Sequence, residues 1–174
     1  MAFSVMDFRG KMAAHSLARS NRFEVIIVPP TPLSGYGREV SIMAESVTMP
    51  GMSITSKPFK TWGPNHQLPV GSDYGGDGIN INFYIDGRME LKRFFDTWME
   101  MTVTGNDYLV KYQQEYSTSI YIYHLNEIEV PTYAIELIDA FPKSMAPIHF
   151  DSNATNQFVR LNTTIAFRRW KEHR

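Results

Sequence analysis

The chain has 174 residues, 43% of them apolar and 20% charged, which suits one globular domain with a core of its own rather than two domains or a disordered segment. It contains no cysteine, so disulfide scaffolds, thiolate metal sites and cysteine nucleophiles are excluded together. No apolar run approaches the roughly 18 residues that a membrane span needs, and Asp7, Arg9 and Lys11 interrupt the opening apolar stretch, unlike a secretory signal.

The net charge of −1 conceals a polarity along the chain. Arg9, Lys11, Arg19 and Arg22 against Asp7 make the first 22 residues +3. Arg168, Arg169, Lys171 and Arg174 against Glu172 make the last seven +3, so the body between carries −7. Basic ends resting on acidic bodies of neighbouring copies would favour and orient self-association. Arg9, Lys11, Arg168, Arg169, Trp170 and Lys171 are therefore the subunit-contact candidates. The expected organisation is an N-terminal arm (1–19), a β domain (20–170) and a basic C-terminal end (171–174).

In chain order, Val5, Phe8, Met12 and Leu17 make a loose helical pattern that Gly10 weakens. Residues 23–28 are β-branched and compact, and Pro29-Pro30 ends them, predicting a strand followed by an irregular loop over 31–37. Second and third strands are expected at 39–48 and 52–61 around the Pro50-Gly51 turn. The stretch 58–78, with three prolines and five glycines, reads as a long loop or irregular hairpin without a regular ladder, ordered by a partner. Trp62, His66 and Tyr74 are its contact candidates.

The strand over 79–86 is the clearest: Ile79, Ile81, Phe83 and Ile85 alternate with Asn80, Asn82, Tyr84 and Asp86. The period then switches, and Leu91, Phe94, Phe95, Trp98 and Met101 fall on one helical stripe. After a polar link (104–117), 119–126 and 132–141 read as a hairpin, Pro142 and Pro147 as the start of a loop through 156, and 159–168 as a last half-buried strand that 168–171 continues. About seven strands and one flanking α-helix predict a mainly β fold, an antiparallel sandwich or barrel.

No chemistry emerges from the motifs. The five histidines lack the paired spacing of a zinc helix, and the acids of 73–78 sit four apart without the closing glutamate of a calcium loop. Gly35-Tyr36-Gly37 lacks the rest of a dinucleotide fingerprint, and the acidic body argues against a phosphate-binding face. No catalytic, cofactor-binding or metal-binding residue is nominated.

Several passages together resemble the tail tube proteins of contractile-tailed, T4-like phages. They are Ser20-Asn21-Arg22-Phe23-Glu24-Val25, the turn Ala44-Glu45-Ser46-Val47-Thr48-Met49-Pro50-Gly51, the asparagine-rich strand ending Tyr84-Ile85-Asp86, the Phe94 to Trp98 helix, and Glu136-Leu137-Ile138-Asp139-Ala140-Phe141-Pro142 before a last strand closing on Trp170. The force of the resemblance lies in their order over residues 20 to 170.

The resemblance implies a non-enzymatic structural subunit that completes a multi-subunit β-barrel in a hexameric ring. Rings would stack into a tube inside a contractile sheath, with baseplate, tail-terminator and tape measure proteins as partners, genomic double-stranded DNA in the lumen without sequence-specific binding, and no membrane. The setting implied is the virion tail, assembled in the host cytoplasm. By strand alternation Glu45 and Glu136 are the lumen candidates. The rival readings are a baseplate tube-initiator or injection-system tube subunit and, from another class, a flavin-binding split-barrel oxidoreductase; the short chain without an appended domain favours the repeating subunit.

Overall fold

The computed structural model describes residues 4–14, 17–60, 62–75, 77–104, 109–153 and 157–173. Parts of the predicted arm, of the polar link and of the 147–156 loop, together with Arg174, lie outside these residues.

One seven-stranded antiparallel sheet forms the body, in the order β1 (Phe23–Ile27), β6 (Thr118–Leu125), β7 (Pro131–Met145), β8 (Arg160–Ala166), β5 (Ile79–Tyr84) and β2 (Ala44–Val47), with β9 (Arg169–Glu172) also on β7. A separate two-stranded sheet joins β3 (Ser53–Phe59) and β4 (His66–Asp73). The helices are α1 (Val5–Ala14), α2 (Gly37–Ile42), α3 (Glu90–Thr102) and the single turn α4 (Gln113–Tyr116), with a 3₁₀ segment at Thr31–Tyr36. None is long and apolar enough to cross a membrane.

The sheet coils because its longest strand bends. Residues 131–140 of β7 pair with β6, and 141–145 pair with β8. At the bend Asp139 takes a left-handed backbone (φ +56°). Strands β8 and β9 lie end to end along one side of β7: Ile138 pairs with Arg169 and Phe141 with Ala166. Residues 168–171 therefore continue the line of the preceding strand, as the sequence predicts. Pro142 is not the start of a loop. It stands inside β7 opposite Ile165, where β6 has already ended, so one side has no ladder bond for proline to lose.

The inward residues of both arms of the coil meet in one core. Ile79, Ile81 and Phe83 from β5 face Ile120 and Ile122 from β6, with Leu161 and Ile165 from β8. The amphipathic α3 closes it, burying Leu91, Phe94, Phe95 and Trp98, each worth roughly 1.5–3 kcal/mol. The Trp98 indole, fully buried, donates to the Tyr116 carbonyl at 2.7 Å, which ties α3 to α4. Asp86 starts α3: its carboxylate accepts the backbone N–H groups of Arg88, Glu90 and Leu91.

The strand expected over 39–48 is divided. Its first part is α2, because Val40 is buried between solvent-facing Arg38, Glu39 and Ile42, and one-sided burial over a few residues is what a helical turn provides. Ser41 of α2 also supplies what a strand would have: its hydroxyl accepts the Ile27 N–H at 3.1 Å and donates to the Gly37 carbonyl. This side chain ties α2 to the end of β1.

Candidate functional site

The stretch expected to lack a ladder has one. β3 and β4 pair from Ser53 with Asp73 to Phe59 with His66, interrupted by one bulge after Thr55. Pro58 and Pro69 fit because each strand of a two-stranded sheet has an open edge, where a missing N–H costs nothing. Every residue of both strands is exposed, Ile54, Phe59, Leu68 and Val70 included. An isolated hairpin of this kind is marginal in water and needs a surface to lie on.

Its base is fastened to the body. Trp170 of β9 donates its indole N–H to the Gly51 carbonyl at 3.1 Å and meets Tyr74 edge to face at 6.2 Å. Gly78, where the chain re-enters the body, has φ +89°, and a Cβ there would fall 2.3 Å from the Ile165 carbonyl oxygen. Of the hairpin candidates, Trp62 lies between the strands and is fully exposed, His66 opens β4 opposite Phe59, and Tyr74 belongs to the base.

Two basic side chains of the C-terminal segment, Arg168 and Lys171, are engaged within their own chain. Arg168 Nε lies 2.8 Å from Asp139, and Lys171 Nζ 2.8 Å from Glu136 across the β7–β9 ladder. The hydrogen bond from Lys171 holds the Glu136 carboxyl below the ordinary glutamate range. Ser119, at 2.8 Å, and Tyr121 add to this against the opposing effect of burial. Arg169 is exposed and makes no ion pair among the described residues, nor do Arg9 and Lys11 on the exposed α1. Arg19 and Arg22 clasp Glu127 and Glu129 at the β6–β7 turn.

Glu45 and Glu136 are not brought together. Glu136 belongs to the β6–β7–β9 part of the sheet, Glu45 to β2 at its far edge. Glu45 pairs with Arg160 at 2.9 Å and accepts from the Tyr84 hydroxyl at 2.8 Å. Tyr84 first and then Glu45 hold the Arg160 guanidinium even more firmly protonated than usual, and it lies over the Tyr84 ring at 5.7 Å. Beside this neutralised pair runs an uncharged ladder that sequence reasoning did not single out as a surface: Asn82 donates to Ser46, and Thr164 to Asn80, each at 2.9 Å. The alternation of 79–86 was its only sequence signal.

Open edges flank the same strands. Among the described residues β2 pairs only with β5, and 141–145 of β7 pair only with β8. The four-stranded run between them has an unpaired row of backbone groups on each side.

No curated protein matches the chain in sequence. A chain of the sheath–tube complex of an extracellular contractile injection system, PVC, in its extended state shares the fold with TM-score 0.66 at 18% identity, over 99% of both chains. A chain of the anti-feeding prophage baseplate does so with TM-score 0.67 at 16% identity, over 91% of this chain and 97% of that one. A chain of the PVC sheath/tube terminator matches with TM-score 0.64 at 17% identity, over 92% and 99%. The sequence profile of the phage tail tube proteins matches residues 18–173, the whole body from the entry to β1 through the end of β9. The chain therefore belongs to the phage tail tube protein family and is a structural subunit of a tail tube.

Proposed function

We propose that six copies close into a ring by pairing β2 of one with residues 141–145 of the next, and that rings stack into a hollow conduit inside a contractile sheath. The pair of open edges on one four-stranded run carries this reading, since edge-to-edge pairing around a ring removes both. The outward face of that run would line the channel. A duplex carries one negative charge per about 1.7 Å, and a wall of Asn80, Asn82, Ser46 and Thr164 with Glu45 neutralised by Arg160 neither grips nor strongly repels it. Glu136 lies away from that wall.

In the assembled tube the hairpin, with Trp62 and His66, lies on the adjoining ring, and Tyr74 with Trp170 sets its angle. Of the basic candidates, Arg9, Lys11 and Arg169 make no ion pair among the described residues and are left for neighbours, whereas Arg168 and Lys171 hold β9. The arm 1–19 acts as a contact element, 20–170 as the β domain, and 171–174 as a basic end whose first two residues belong to β9. Sheath, baseplate and terminator are the partners, tape measure protein and DNA pass through the lumen, assembly takes place in the host cytoplasm, and the subunit catalyses nothing. Family membership replaces the flavin-binding reading. The likeness to PVC and anti-feeding prophage chains supports a second setting, the tube of an injection device.

Negative-stain microscopy and sedimentation of concentrated protein test the core of this. Rings or tubes that grow with concentration are expected. A compact monomer at millimolar concentration under every salt condition would overturn it.

A further inference from the structure

The body has two ends along its strands. At one, Phe23 opens β1 beside Val47 and Met49, and both projecting parts leave from there: the arm through 17–22, and the hairpin through Gly51 and Tyr74. At the other, β1 ends against α2, and α2 with the start of α3 encloses a cleft of about 300 Å³. Tyr36, Val40, Ile42, Met43 and Leu91 make its apolar lining; among the described residues Glu39, Asp86 and Glu90 are its charged members. Ile42 is 70% exposed there, an apolar side chain without a cover.

The arm carries the matching pattern. Val5, Phe8 and Met12 recur at i, i+3 and i+7 as a narrow stripe on α1 flanked by Arg9 and Lys11, while the exposed Met6 lies off that stripe. Val5 and Phe8 are exposed, and among the described residues no hydrogen bond or ion pair ties α1 to the body. The Asp86 carboxylate accepts the first N–H groups of α3, Glu90 makes an exposed pair with Arg88 at 3.8 Å, and Glu39 makes no ion pair among the described residues.

The geometry points to a head-to-tail contact in which α1 of one copy lies in the α2–α3 cleft of the next. Phe8 and Val5 fill the apolar floor, and Arg9 and Lys11 face the acidic rim. A short helix that lays a few apolar side chains in an apolar groove is a common mode of recognition. Plug and socket at opposite ends of one chain form a heterologous contact, which propagates along an axis instead of closing on itself. The inference rests on the tube reading above and deepens it, naming the surface through which one subunit grips the copy ahead of it.

The absence of native cysteine makes the test clean, because an introduced pair has nothing else to join. Phe8→Cys and Ile42→Cys change exposed residues and leave the core untouched. Tubes of the double variant, oxidised and run on a denaturing gel, should give a ladder at two, three and more chain masses. Mixing the two single variants should give dimers only. In a second arm, Lys11→Glu or Glu39→Lys alone should raise the concentration needed for stacking by about two- to fivefold, and the two together should restore it. Tubes that form fully while the cysteines stay unjoined, or join only within one chain, would overturn this contact and leave the tube reading standing. Failure of the wild type to form any ring or tube would sink both.

Discussion

Asp139 and Arg168 face each other across the ladder at the point where β7 bends, carboxylate to guanidinium at 2.8 Å. The acid also carries the left-handed backbone of the bend, and the Arg168 N–H donates to the Ile138 carbonyl beside it. A charge at the basic end of the chain thus lies where the strand turns from one part of the sheet into the other.

Backbone and charge at this bend can be separated. Asp139→Val removes the ion pair and in addition forces a β-branched residue to φ +56°, and should cost about 1–3 kcal/mol, the excess over Arg168→Gln being the backbone's share. Arg168→Gln removes only a largely exposed ion pair and should cost less than about 1 kcal/mol. Denaturant midpoints of the two variants give the comparison; the opposite order would mean that the ion pair, not the turn, holds the bend.

Acid should loosen β9 before the core. Glu136 is held below its ordinary value of 4.5, chiefly by Lys171, so its contribution is complete above that value and is lost as pH falls through the lower, folded one. Amide exchange at Arg169–Glu172 should quicken over that interval while β5 stays protected. Glu136→Gln should flatten the acid-side loss at a cost of about 1 kcal/mol near neutrality. A variant with an unchanged acid profile would assign the loss elsewhere.

Trp170→Phe keeps an aromatic ring against Tyr74 and removes the hydrogen bond to Gly51. Amides of 53–73 should exchange several-fold faster, as expected for losing about 1 kcal/mol of anchoring, with the global denaturation midpoint nearly unchanged. Equal slowing or equal quickening throughout the chain would show that the hairpin does not open independently.

Gly78→Ala should be among the most damaging single changes outside the core. The backbone at φ +89° is strained for any side chain, and the new methyl would meet the Ile165 carbonyl and not a movable side chain. A loss of about 2–3 kcal/mol in thermal or chemical denaturation is expected, against a few tenths at Gly51, which has open space.

By itself the sequence determined the elements whose signal is periodic. Ile79, Ile81 and Phe83 announce a half-buried strand, and Leu91, Phe94, Phe95 and Trp98 a helix on it, because side-chain direction repeats every two residues in a strand and every 3.6 in a helix wherever the segment lies. The order of these elements carried the family. Tertiary structure decided the rest, since it depends on which distant segments meet. Residues 37–42 became a helix because Val40 had a core to enter on one side only. Pro142 stayed in a strand because its neighbour β6 had ended. Arg168 and Lys171 found Asp139 and Glu136, and Trp170 found Gly51 at 119 positions' distance, through a bend that no local pattern encodes. A hydrogen-bond ladder is set by the strand lying alongside, and the identity of that strand is a property of the whole fold.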